Sequence, residues 1–308
     1  MNWIKKGLIY SPNGELWWNK KYSILPTPIY LENQNVIRVY FAVTCENKFG
    51  RITFIDLDPE NPNVIKNNPN IISLDLGKDG AFDDCGVNPS CIIKNNDEWI
   101  MYYAGYQRHF KTPYSILSGL AKSSDGINFN RVKNTPILER TNEELSLRSA
   151  PTVIVENNLY KMIYVADHGW KEINTTLFRG KKMPLYSLKY SESTDGINWE
   201  NSTKSVLTPR GEEFGFGRPY LLKDNNIYKL FYSIRSINKT YRLGYAESID
   251  CINWNRKDLD MNIDISESGW DSEMLCYPAV LKVKGKTFIF YNGNNNGESG
   301  FGYAELVN

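Results

Sequence analysis

Hydrophobic and polar positions alternate with a period of two over short runs, and the runs come in pairs. NPSCIIKNNDEWIMYYAG from Asn88, APTVIVENNLYKMIYVAD from Ala150 and RPYLLKDNNIYKLFYSIR from Arg218 share one form: x-Pro, a short apolar strand, a polar turn, then an aromatic-rich strand. This alternation, with its enrichment in Ile, Val, Tyr and Phe, predicts β-strands. The turns KNNDE, ENN and KDNN predict tight reversals, because Asn and Asp tolerate a left-handed backbone. TPIYLENQNVIRVYFAVT from Thr27 and YPAVLKVKGKTFIFYNGN from Tyr277 repeat the form. The prolines therefore fall at 28, 89, 151, 219 and 278, spaced 59 to 68 residues apart. A period of that length predicts a repeat architecture.

Each period carries a third strand: GRITFIDLD, SILSGLAKSS, LYSLKYSES, YRLGYAESI and GFGYAEL. In the middle three it runs into a repeated phrase, AKSSDGINFN, SESTDGINWE and AESIDCINWN, and then into a fourth segment. Four antiparallel strands per period make the blade of a β-propeller. The pattern predicts an all-β chain, one five-bladed propeller domain over residues 1–308, with the N-terminal WIKKGLIYSP supplying the last blade's missing strand and closing the ring. The repeated phrase reads as the turn to the outermost strand. Asp195 would accept backbone N–H groups, Gly196 would take a positive φ, and Trp199 would pack where blades meet. Asp125, Asp195 and Asp250 are thus structural, and Cys251 in place of glycine suggests a slightly different turn. NEELSLRS is at most one helical turn.

Composition narrows the class. Lys and Arg total 36 and Asp and Glu 35, interspersed, which argues against a nucleic-acid surface or a polybasic membrane patch. No apolar run approaches a membrane span, and the N-terminal apolar stretch is too short for a signal-peptide core. A cytoplasmic location is the expectation. The five cysteines are scattered without a CxxC pair, which favours free thiols over disulfides or zinc. No cofactor or metal is expected.

Five x-Pro inner strands with SxDGxNW turns resemble the five-bladed propeller glycosidases, families 43, 32, 68 and 130 and their relatives, over roughly residues 20–308. The resemblance implies a carbohydrate or glycoconjugate substrate in the central funnel, cleaved between two carboxyl groups. Family context further implies a role in surface-polysaccharide metabolism. In the family 43 and 32 pattern the essential carboxylates stand immediately before, or two residues before, these prolines. Here the residues immediately before them are Thr27, Asn88, Ala150, Arg218 and Tyr277, none of them acidic. The family triad is therefore not carried over.

Acids stand slightly upstream. Asp84 and Glu273 share one offset, five residues ahead of their prolines, and Glu213 lies in GEEFGFGRP. These three are the candidate catalytic groups, and the alternative is that they cap loops or pair with neighbouring arginines. Arg148 and Arg218 either hold an anionic substrate group or pair with those acids. Asn88, His168, Tyr277, Trp170 and Trp270 complete the candidate substrate-binding set, and His109 stands in a loop at the rim. The reading is a glycoside hydrolase-like enzyme. The alternatives are a glycoside phosphorylase, a propeller that binds carbohydrate without catalysis, and a protein-interaction propeller.

Overall fold

The computed structural model describes residues 1–95, 97–201 and 204–307. Asn96, in the expected KNNDE turn, lies outside them. Among the described residues the chain is built almost wholly of strands. A first strand, β1 (Trp3–Tyr10), precedes five antiparallel meanders. The first contains β2 (Lys21–Leu31), β3 (Val36–Thr44) and β4 (Gly50–Leu57). The second contains β5 (Gly86–Asn95), β6 (Glu98–Arg108), β7 (Tyr114–Ser123) and β8 (Asn130–Arg131). The third contains β9 (Leu147–Glu156), β10 (Leu159–Ile173), β11 (Lys181–Ser193) and β12 (Ser205–Leu207). The fourth contains β13 (Glu213–Asp224), β14 (Ile227–Ser236), β15 (Arg242–Ser248) and β16 (Asn255–Arg256). The last contains β17 (Cys276–Val283), β18 (Lys286–Asn292) and β19 (Phe301–Leu306). NEELSLRS forms no helix.

Neighbouring meanders touch through short parallel pairings, Gly50 with Gly86 and Ile116–Leu117 with Leu147–Arg148. β1 pairs antiparallel with β19, from Trp3 opposite Leu306 to Tyr10 opposite Phe301. The apolar faces bury between meanders. One cluster joins Tyr102 and Met101's neighbour Ile100 in β6 to Val153 and Met162 in β9 and β10. Another joins Phe231 and Tyr245 to Ile289 and Tyr291, across to Trp3. All five cysteines are free.

The repeated phrase forms the turn its residues dictate. Asp195 Oδ1 accepts the N–H groups of Ile197 and Asn198, each at 2.8 Å, and Gly196 has φ +71°. Tyr102 of the preceding meander donates to the Gly196 carbonyl at 2.9 Å, and its ring meets Trp199 edge-on at 6.0 Å. The slightly different turn that the sequence suggested at Cys251 is not observed. Cys251 has φ +66° and donates to Ser248 Oγ at 2.9 Å, matching Gly196 on Ser193. Its side chain is fully buried in the cluster around Leu230 and Tyr228.

The first period is displaced by two residues from the sequence reading. The β2–β3 pairing breaks register between Ile24 and Thr27, as β17–β18 does between Cys276 and Ala279. Pro26, not Pro28, therefore corresponds to Pro278. The run LPTP offers two prolines on one face of the strand, and only the register break selects the first.

Candidate functional site

All five inner strands reach a central cavity of about 300 Å³, and at one equivalent position they place Leu25, Asn88, Ala150, Arg218 and Tyr277 in its lining. Four of these five precede a proline with positive φ: Leu25 +58°, Ala150 +49°, Arg218 +32° and Tyr277 +57°. A residue before proline ordinarily sits in extended conformation, and left-handed φ costs a non-glycine residue about 1–3 kcal/mol. Strain thus recurs at one equivalent position of four inner strands, where the strands bulge beside the cavity.

Arg218 forms the floor. It is 2% exposed and donates to the carbonyls of Pro26 (3.0 Å), Pro278 (2.9 Å), Tyr277 (3.2 Å) and Ser90 (3.3 Å) and to Thr27 Oγ1 (2.8 Å). One guanidinium so joins the first, second, fourth and fifth inner strands. Burial brings its pKa down to about 10, and it stays charged at neutral pH. It has no carboxylate partner.

The cavity wall is phenolic. Tyr186 and Tyr241 share a hydrogen bond of 3.0 Å between hydroxyls, the Tyr241 and Tyr277 rings lie tilted at 5.7 Å, and Tyr114 lines the same cavity. Gly215 makes room for this wall, since a Cβ there would lie 2.7 Å from the Tyr186 ring. Burial raises the hydroxyl pKa of Tyr114, Tyr241 and Tyr277, so all three remain donors at neutral pH. Arg235 lies among them, donating to the Tyr186 hydroxyl, with its guanidinium carbon 5.3 Å from the Tyr186 and Tyr241 ring centres. Ile24, Ile116, Leu147, Val165 and Phe216 supply apolar surface. No Asp or Glu lines this cavity among the described residues.

Of the residues singled out from sequence, Asn88, Arg218 and Tyr277 meet here. His168 and Trp170 meet in an adjoining groove of about 560 Å³ that also holds His109, Arg140 and Asp167. Trp170 contacts Tyr114 edge-on at 5.2 Å, which links this groove to the central cavity. Glu213 lines a second groove of about 530 Å³, with Glu172, Glu212 and His168, that shares Tyr186 with the centre. Both Glu213 oxygens accept from Arg256, at 2.7 and 2.8 Å.

The remaining candidates stand apart. Asp84 Oδ2 caps the loop at Gly80 N (2.9 Å), as the capping alternative anticipated, and lines no cavity described here. Glu273 is exposed outside these cavities, and its carbonyl accepts from Arg242. Their equal offset from proline did not translate into convergence, because the loops carrying them fold differently. Arg148 is 2% exposed and pairs with Glu144 at 2.6 Å, an acid outside the three candidates. Trp270 stacks on Tyr291 at 5.1 Å within the core.

Sequence reasoning missed Arg235, Tyr186 and Tyr241. A signal existed: Ile116, Tyr186 and Tyr241 each stand nine residues before a turn aspartate, and all three line the cavity. No group of three or more His, Cys, Asp or Glu is placed to hold a metal among the described residues. No helix is long and apolar enough to cross a membrane.

No protein-family model matches the chain. Its fold is that of the β-propeller glycoside hydrolases. A glycosyl hydrolase from Bacteroides ovatus superposes with a TM-score of 0.73 at 14% identity, covering 99% of this chain and 93% of that one. A β-1,2-mannobiose phosphorylase of Thermoanaerobacter sp. is 29% identical over 168 residues, 52% of this chain and 53% of the relative. With 31% identity over 309 residues spanning all of both proteins, the chain belongs to the same family as the uncharacterized protein Rv1502 of Mycobacterium tuberculosis.

Proposed function

We propose that this chain is a carbohydrate-active enzyme, a hydrolase or phosphorylase, that cleaves a glycosidic bond with a sugar seated in the centre of a five-bladed propeller closed by β1. One observation carries the reading: every inner strand turns a residue into one cavity, and grooves lead out from it past acidic side chains. A sugar ring fits a cavity that mixes apolar walls with convergent hydroxyl donors. The carboxyl groups that glycoside cleavage needs are then drawn from the groove beyond Tyr186. Glu213, whose oxygens both accept from Arg256, suits the base or charge-stabilising role. Glu212 and Glu172, which line the same groove, would then supply the proton donor. Asp84 and Glu273 would act only if their loops closed over the substrate.

A second reading, carbohydrate binding without catalysis, is favoured by a central lining that holds no carboxylate among the described residues. The two are separated by assaying the wild type and the Glu213→Gln, Asp84→Asn and Glu273→Gln variants on aryl glycosides and nucleotide- or lipid-linked oligosaccharides, with and without phosphate. Loss of about 10²-fold or more in Glu213→Gln alone, in a folded protein, supports the enzyme and this carboxylate. Loss confined to the other two variants moves the chemistry to their loops. Saccharide binding without turnover in any protein leaves the binding propeller.

A further inference from the structure

Charge is sorted around the cavity in a way the chain as a whole is not. Lys and Arg nearly equal Asp and Glu over 308 residues, 36 against 35. Yet the central cavity presents Arg218 and Arg235 and no acid among the described residues. A further cavity of about 200 Å³ opens on the other side of Arg235 and shares Tyr241 and Asn296 with the first. It presents Lys181 and Lys239, again with no acid. Four cations and, among the described residues, no carboxylate line these two neighbouring cavities. The two grooves that adjoin the centre hold acids instead: Glu143 and Asp167 in one, Glu172, Glu212 and Glu213 in the other.

Arg235 is the cation this arrangement exposes most usefully. Arg218 spends its two terminal NH2 groups on backbone carbonyls and the Thr27 hydroxyl, and contributes charge from below. Arg235 lines the cavity, its partners are the neutral hydroxyls of Tyr186 and Tyr114, rings lie on its faces, and no carboxylate pairs with it among the described residues. A half-buried guanidinium without a counter-charge is costly, and an oxyanion that completes it forms charge-assisted, often bidentate bonds. The phenols around it add neutral donors suited to the same group.

We propose that the central cavity recognises a sugar bearing its own oxyanion, a carboxylate or phosphate ester, with Arg235 as the residue that binds the anion. The inference rests on the carbohydrate reading above and narrows its substrate class. A bare inorganic anion would leave the apolar walls of Ile24, Ile116, Leu147 and Phe216 unused, and about 300 Å³ suits a ring with its substituent.

The test is calorimetric binding of matched pairs, glucuronate against glucose and glucose 6-phosphate against glucose, alongside inorganic phosphate, to the wild type and to two variants. Arg235→Gln removes the charge. Asn88→Asp, nearly isosteric, puts an acid into the lining and keeps the measurement interpretable where Arg235→Gln fails to fold. The expected result is a preference of about tenfold or more for a charged sugar over its neutral partner, reduced in both variants and weakened by salt. Equal binding of charged and neutral sugars overturns the anion site and leaves the carbohydrate reading intact. Tight inorganic phosphate binding with no charged-sugar preference also overturns it, because the anion is then a separate molecule. Failure of every saccharide, including the oligosaccharides of the activity panel, removes both readings.

Discussion

Asp195 shows how one side chain can specify a turn. Its Oδ1 takes two backbone N–H groups and its Oδ2 takes the Asn198 amide at 2.7 Å. Those backbone bonds, first among the causes, hold its carboxyl well below the usual carboxylate range. Asp125 and Asp250 repeat the arrangement on Ile127 and Asn128 and on Ile252 and Asn253. Asp195→Ala is expected to lower stability by about 1 kcal/mol, read by denaturant unfolding, with saccharide binding unchanged. A loss of binding at constant stability would refute the structural role. This local chemistry is why the phrase was legible in sequence: every donor it needs lies within three residues. Cys251 was misread for the converse reason. The surrounding core, not the turn, decides that a buried side chain is tolerated at φ +66°.

At the scale of strands, alternation and spacing revealed the meanders, since each strand's burial pattern is written along itself. Register breaks are not written there, and LPTP was accordingly read two residues late. The site was legible only where one strand position repeats, as at Asn88, Arg218 and Tyr277. Arg235 comes from the end of β14, and its importance arises from what other meanders fail to supply. Contacts between meanders also predict a pH response. Glu156, on β9, is held down to about 2 by hydrogen bonds from Lys161, then Lys223 and Tyr228, the last two from the next meander. Its folded pKa lies below the unfolded value near 4.3. The stabilisation is therefore complete above that value and is lost as pH falls toward about 2. Glu156→Gln should flatten this part of the acid limb in melts between about pH 5 and 2. An unchanged limb would show that the contact contributes nothing to the linkage.

The whole molecule depends on how its ends meet. β1 covers the edge of β19 along six paired positions, and Trp3, 7% exposed, packs into the cluster with Phe231 and Ile289. Lys5 reaches Asp271 at 2.8 Å, and Asp271 is 2% exposed beneath Tyr291. Deleting residues 1–10 therefore does three things at once. It opens a strand edge, uncovers part of an apolar cluster and strands a buried carboxylate without its cation, and the last alone costs about 3–5 kcal/mol in comparable pairs. If β1 closes a ring, the damage spreads past the last meander, because the fourth meander packs on β17 and Arg218 ties inner strands together across the centre. The truncated chain should then melt cooperatively at a much lower temperature, aggregate through its open edge and lose saccharide binding. A synthetic peptide of residues 1–10 should restore all three. A truncated chain that keeps the wild-type melting temperature and binding would reduce β1 to an accessory edge strand, and the closed five-bladed ring would have to be given up.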